Sequence, residues 1–237
     1  MSDWVVKRFW EDAAVVEGAD GFAIWLDGRA VKTPAKAPLV VPTAELAEAI
    51  AAEWRAVEEQ INPNVMPFTR SANAAIDKVS VQFDEVADLI AAYVDSDLLC
   101  YWADSPVELR LRQDAAWGKL LTWALQEHDL ELQVHSGVMH KPQMEQPQKA
   151  AHQLARKQSV FQLTAFHDLV SMSGSFIIGL AAAVSLESPE NLWKTSRIDE
   201  TWQEELWGED EEATQAAAVK EAAFVHAHRF YELSTKR

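Results

Sequence analysis

Apolar positions along the chain repeat with a period of two in the first third and with a helical period thereafter. Ala14-Val-Val-Glu17 leads into Gly18-Ala-Asp-Gly21, a turn signal, and Phe22-Ala-Ile-Trp-Leu26 then alternates. Phe22, Ile24 and Leu26 fall on one face of such a strand, and Ala23 and Trp25 on the other. Asp27-Gly28 predicts a tight hairpin turn, because a type I′ turn needs positive φ and glycine accepts it freely. Arg29 to Thr33 returns, Pro34 ends the run, and Leu39-Val-Val41 is a further short strand. These segments predict a small antiparallel sheet.

From Thr43 the period changes. Leu46, Ile50, Trp54 and Val57 have helical spacing, with Thr43 placed to cap the first turn and Glu45 favourable to the helix dipole. After a break at Ile61 to Pro67, helices are predicted from Ser71 to about Val81 and from Asp84 to Val94. The second has Val86, Leu89, Ile90 and Tyr93 as its apolar stripe. Ser105-Pro-Val-Glu108 has the make-up of a helix start, with Ser as cap and Pro in the first helical position, and that helix should run to about His128. Glu131 to His135 reads as extended. Gln148 to Lys157 and Val160 to Leu186 read as helices. The latter is apolar almost all round despite Gly174 and Gly179, as expected of the buried helix of a bundle. Ser188-Pro189 opens another helix, Gly208 stops it, and Asp210 to Leu233 forms the last. The fold class that follows is α+β: a small antiparallel β-rich N-terminal domain with helices, residues 1–95, followed by an all-α helical-bundle C-terminal domain, residues 96–237.

The helix predicted after Ser188 carries two stripes. At about 100° per residue, Leu192, Ile198, Trp202 and Leu206 share an arc suited to docking on the core, and Trp193, Glu200 and Trp207 lie within about 40° of one another on a different arc. Two aromatics bracketing a carboxylate off the core stripe suit a partner-binding surface. A helix buried on more than one side would explain the same residues.

Composition narrows the function. A net charge of −16 with no long basic run opposes binding to nucleic acid or to an anionic membrane. The most apolar run, Phe176 to Val184, falls short of the ~18–20 residues a membrane span needs. One cysteine, Cys100, permits no intrachain disulfide. Met1-Ser-Asp-Trp-Val has no signal or transit pattern, so a bacterial cytoplasm is the expected location. Ten tryptophans in 237 residues raise the expectation of a protein-binding surface, since indole rings cover much interface area at little entropic cost.

Catalytic signatures are scarce. There is no His-Glu-x-x-His, no paired-cysteine metal motif, no phosphate loop and no Gly-x-Ser-x-Gly elbow. His226 and His228 are two apart on a helix, so their side chains diverge. Asp95 and Asp97 form the best acidic pair. They suit a divalent cation or acid–base work, and equally the end of a helix, where short acidic side chains satisfy free N–H groups. Cys100, between Leu99 and Tyr101, reads as a buried thiol. No cofactor, metal or small-molecule substrate is expected.

Several segments together resemble one family. They are Lys7-Arg-Phe9, Leu26-Asp-Gly-Arg-Ala-Val-Lys-Thr-Pro34, Glu53-Trp54, Met66-Pro67, Asp95-Ser-Asp-Leu-Leu-Cys-Tyr101, and Arg197-Ile-Asp-Glu200 ahead of Trp207-Gly208. The chain is similar over nearly its whole length to the assembly chaperones of mitochondria and alphaproteobacteria that attend the α subunit of the F-type ATP synthase catalytic head. Trp10 stands where that family often has Tyr, and Trp102 where Arg is common. The resemblance implies a two-part molecule without catalysis. Such a protein binds the unassembled α subunit, covers its apolar interface and leaves when the β subunit takes its place. The resemblance also makes an acid before the Trp-Gly pair important, with Glu200 the best match and Asp199 its neighbour. The partner-binding residues expected are therefore Glu200, Trp193, Trp207 and Asp199. The competing readings are a small metal-dependent hydrolase using Asp95 and Asp97, and an adaptor for an unrelated protein.

Overall fold

The computed structural model describes residues 7–235, so the N-terminal segment read for targeting signals, Met1 to Val5, lies outside the described residues. Two compact units form, and neither is one continuous stretch. The first takes the described parts of Met1–Phe83 and Arg229–Arg237 together with Val160–Ala165, and the second takes Asp84–Ser159 and Phe166–His228. The domains expected from sequence, residues 1–95 and 96–237, divide the chain by element type, a β-rich part with helices and then a helical part.

In the first unit, β1 (Ala13–Gly18) and β2 (Gly21–Leu26) pair antiparallel with Val15 opposite Ile24. The other edge of β2 holds both β3 (Arg29–Ala30), opposite Trp25 and Leu26, and β4 (Val40–Val41), opposite Phe22 and Ala23. Asp27 and Gly28 both have positive φ, 45° and 79°, as the predicted hairpin turn demands. Helix α1 (Ala44–Arg55) starts where Thr43 Oγ1 accepts from the Leu46 amide. Its Leu46, Ile50 and Trp54 are buried, as is Val57 just past its end. The indole of Trp10 lies edge-on to Trp54 at 5.3 Å and donates to the Trp54 carbonyl.

Helix α2 (Pro67–Ala74) begins four residues before the predicted Ser71. Its start has no cap of its own. Glu53 reaches over from α1 and accepts from the Phe68 and Thr69 amides and the Thr69 hydroxyl at 2.7–2.8 Å, a cap that periodicity within one helix cannot reveal. A π-helical turn follows over Ala75–Val79. Phe68 stacks on Phe230 at 6.5 Å, Phe161 lies tilted against it at 6.4 Å, and the Thr43 hydroxyl donates to the Leu233 carbonyl, so the segment around Phe230 is part of this unit's core.

The second unit is helical apart from β5 (Tyr101–Trp102) and β6 (His135–Ser136), a short parallel pair. Helix α3 (Phe83–Ala92) buries Ala87, Ile90 and Ala91, while Leu89 of the predicted stripe is exposed. The inward face is lined by alanines, which a search for large apolar residues overlooks. Helix α4 runs Val107–His128 and α5 Glu145–Arg156. Ser105 makes no cap bond, and Pro106 occupies the cap position rather than the first helical one. Arg156 and His152 of α5 both meet Asp88 of α3, at 2.6 and 3.0 Å.

The long apolar helix expected from Val160 to Leu186 is two helices, α6 (Val160–Ser173) and α7 (Phe176–Ala183). Gly174 takes φ +70° and Ser175 caps α7 through the Ile178 amide. Every residue of α7 is buried, so the central position was read correctly and the continuity was not. Gly179 allows α7 to lie against Val170 of α6. Helices α8 (Pro189–Ser196), α9 (Ile198–Trp207) and α10 (Glu211–Ser234) follow. No helix among the described residues is long and apolar enough to cross a membrane.

Candidate partner-binding site

The segment expected to form one tryptophan-bearing helix is broken at Arg197, which has φ −110° and ψ 16°. Two bonds favour the break. The Ser196 hydroxyl donates to the Trp193 carbonyl at 2.7 Å, and the Trp117 indole of α4 donates to the Thr195 carbonyl at 2.9 Å. The second captures a carbonyl at the helix C-terminus, where carbonyls lose their intrahelical partners. A single 100° progression from residue 193 to 207 therefore does not exist, and the three residues of the supposed stripe have different environments.

Trp193 is 4% exposed and packs on Phe224 of α10 at 5.8 Å. It is a core residue. Trp207, the last residue of α9, is 80% exposed, and Leu206 beside it is 56% exposed, although the sequence suggested that Leu206 docks on the core. Glu200 lies between these extremes. It accepts from Arg197 Nη1 at 2.7 Å, and the Arg197 guanidinium lies 6.0 Å from the Trp193 ring centre. The buried tryptophan thus supports an arginine that holds Glu200 at the surface.

Asp199 is turned the other way. It accepts from Gln113 Nε2 at 2.7 Å, and the buried Gln113 also accepts from the Ala103 amide at 2.8 Å. Burial raises the Asp199 carboxyl above its usual range, and the Gln113 bond opposes that rise. Arg112 adds a second tie between α4 and α9, meeting Glu205 at 2.8 Å and lying over the Trp202 ring at 4.7 Å. The outer face of α9 that results is acidic, with an uncovered Leu206–Trp207 end.

The Asp95–Asp97 pair is occupied elsewhere. Asp97 is fully buried and accepts from the Leu99 amide at 3.0 Å and the Ile177 amide at 3.2 Å. It pins the turn before Cys100 to the start of α7. Burial pushes its carboxyl up to about 6, against the pull of Ser175 and the surrounding amides. Asp95 accepts from the Gln143 amide at 2.8 Å and from Gln148 Nε2 at 3.1 Å. Among the described residues no group of three or more His, Cys, Asp or Glu could hold a metal ion. Cys100 is buried, and desolvation raises its thiol well above the usual range.

Many residues that carry the family resemblance are likewise fasteners. Arg8 donates to the Trp10, Glu11 and Val57 carbonyls. Asp27 accepts from the Glu11 and Asp12 amides, which lower its carboxyl. Glu53 caps α2 and Asp97 caps the turn before Cys100. These motifs specify a fold, while the Leu206–Trp207 end of α9 stays exposed.

The family described as ATP12 chaperone protein matches residues 7–125. The mitochondrial protein atp12 of Schizosaccharomyces pombe is 26% identical over 220 residues, which is 87% of this chain and 75% of that protein. The crystal structure of Atp12 from Paracoccus denitrificans superposes with a TM-score of 0.94 at 43% identity, covering 97% of this chain and 98% of that one. The Atu1473 protein of Agrobacterium tumefaciens gives 0.91 at 37% identity, covering 98% and 87%. These matches define an α+β chaperone rather than an enzyme. The chain belongs to the ATP12 family, the assembly chaperones of the F-type ATP synthase head.

Proposed function

We propose that the protein binds the unassembled α subunit of the F-type ATP synthase catalytic head, in the bacterial cytoplasm, and covers the apolar surface that the β subunit later buries. The contact is the outer face of α9, with Trp207 as the aromatic anchor and Glu200 as the charge that sets register. Asp199 orients α9 through Gln113, and Trp193 acts from beneath by supporting the Arg197–Glu200 pair. The observation that carries this reading is Trp207, left 80% exposed on an acidic helix in a member of a chaperone family. Exposed aromatic rings dominate binding energy where they meet a pocket, and charges govern orientation and encounter. An orphan subunit with a large uncovered apolar patch aggregates. Release needs no ATP hydrolysis by this chain, because a β subunit competing for the same surface displaces it by mass action.

Light scattering of refolding α subunit, with and without the protein, tests the activity, and equal scattering in both would refute it. Glu200→Lys tests the site. The pair with Arg197 is exposed at the Glu200 end, and such pairs contribute about 0.2–1 kcal/mol, so the melting point should move little. Reversal of a charge engaged by a partner cation should cost about 2–5 kcal/mol of binding. Lowered stability with unchanged affinity of the folded fraction would make Glu200 structural.

A further inference from the structure

The loop between β6 and α5 is fastened at its neck and bare at its tip. Gln133 and Gln143 form a reciprocal pair. The Gln133 amide donates to Gln143 Oε1 at 2.8 Å, and Gln143 Nε2 donates to the Gln133 carbonyl at 2.9 Å. Asp95 accepts from the Gln143 amide and lies 3.3 Å from His140 Nε2, and His140 Nδ1 is 3.2 Å from the Tyr101 hydroxyl. On the other side, the Gly137 amide donates to the Trp102 carbonyl at 2.9 Å. Arg110 donates to the Ser136 hydroxyl at 3.1 Å and lies over the Trp102 ring at 4.3 Å. Gly137 turns the chain at φ +82°, and a Cβ there would meet an Asp104 oxygen at 3.2 Å.

All of these bonds hold a tip that covers no core. Val138 is 90% exposed and Met139 76% exposed. Fixing a loop costs backbone entropy, and a tip already fixed when a partner arrives does not lose that entropy again on binding. Methionine adds an unbranched, polarisable side chain that adapts to an irregular pocket. The stretch that carries the tip is itself free of acids between Glu131 and Glu145. Residues 132–144 contain His135, His140 and Lys141 and no carboxylate, in a chain of net charge −16. Of the acids that face the loop, Asp95 is engaged by Gln143, Gln148 and His140, and Asp104 lies at the Gly137 turn.

The geometry points to a second docking element, in which Val138 and Met139 insert into an apolar pocket rimmed by carboxylates on the client protein, with Lys141 and Arg110 meeting that rim. This rests on the client reading above and adds a contact on a different part of the helical unit. It also gives Asp95 a role, that of positioning the loop.

The test is a binding titration of purified α subunit with wild type, with Val138→Ser/Met139→Ser, and with Glu200→Lys. Both tip residues are exposed, so the double variant should melt as wild type does, and its dissociation constant should rise about ten-fold. Gln143→Ala keeps the tip chemistry but frees the neck. It should weaken the complex about three-fold and speed exchange of the Gly137 amide. Unchanged affinity in the double variant, with affinity lost in Glu200→Lys, would overturn the inference and leave the proposed function standing. Absence of any wild-type complex would remove both. Wild-type sedimentation with phosphatidylglycerol vesicles that the double variant loses would overturn it in favour of a membrane contact.

Discussion

Gly179→Ala sets two well-measured effects against each other. In an exposed helix the substitution stabilises by about 0.8–1 kcal/mol, because alanine loses less backbone entropy than glycine. At position 179 the new methyl carbon would lie 2.5 Å from Val170 Cγ2, 3.1 Å from the Val170 nitrogen and 3.2 Å from its Cα. Carbon atoms prefer about 3.5–4.0 Å, so the side-chain contact is roughly 1 Å too short. Val170 is itself fully buried, so its neighbours in the packed core resist its displacement. Extra methyl groups in packed cores cost about 1–3 kcal/mol, so the clash should outweigh the propensity gain and leave a net loss of about 1 kcal/mol. For a chain of this length that corresponds to a melting point lower by about 2–4 °C. Thermal and urea melts of Gly179→Ala, Val170→Ala and the double variant separate the terms. Removing Cγ2 should relieve most of the penalty, giving a coupling of about 0.5–2 kcal/mol, and the remaining backbone contacts should keep relief incomplete. A single Gly179→Ala variant more stable than wild type would refute the close approach of α6 and α7.

Three other outcomes are expected. Trp54→Arg places a charge in the core beside Trp10 and should cost several kcal/mol, so soluble protein melting near the wild-type midpoint would contradict the packing of α1. Asp97 titrates at about 6 when folded and near 3.8 when unfolded, so its stabilising contribution is complete below about pH 4 and is lost as pH rises through 6. Carboxyl-carbon NMR should place its midpoint near 6, and a midpoint below 4 would refute the dominance of burial over the amide donors. We propose residues 1–95 and 96–237 as domains by element type, a sheet-bearing part and a helical part, whose folding is coupled. Because the first compact unit also draws on Val160–Ala165 and on residues from Arg229 onward, fragment 1–95 alone should melt without cooperativity, and a sharp transition would favour the boundary at 95 as a folding boundary.

Local chemistry made the hairpin legible: Asp27-Gly28 leaves the backbone little choice, and the alternation around it fixes the faces. The stripe of α1 was legible because large side chains mark its buried face. The two breaks, at Gly174 and Arg197, were harder for different reasons. Gly174-Ser175 is a stop followed by a cap, but the apolar residues on both sides suggested one buried helix running through the glycine. Arg197 is a good helix former, and the bond that ends α8 comes from Trp117, 78 positions away by sequence separation. No periodicity within a segment reports such a partner. The candidate site inherited that error: Trp207 and Glu200 were found as surface residues, whereas Trp193 was assigned to the surface by an angle that the break removes. The Val138–Met139 tip was missed because its signal is exposure, and exposure depends on which neighbouring segments fail to cover it.

The aromatic cluster of Phe68, Phe161 and Phe230 joins three segments spread over most of the sequence. On a growing chain the β hairpin and α1 emerge early and must wait, with Phe68 uncovered, until Phe230 has been made. At about 5–20 residues per second, the interval between completing α1 and adding Phe230 is of the order of 10–40 s. An assembly chaperone is thus itself incomplete for much of its own synthesis, and a chain truncated before Phe230 would leave that half-built core open.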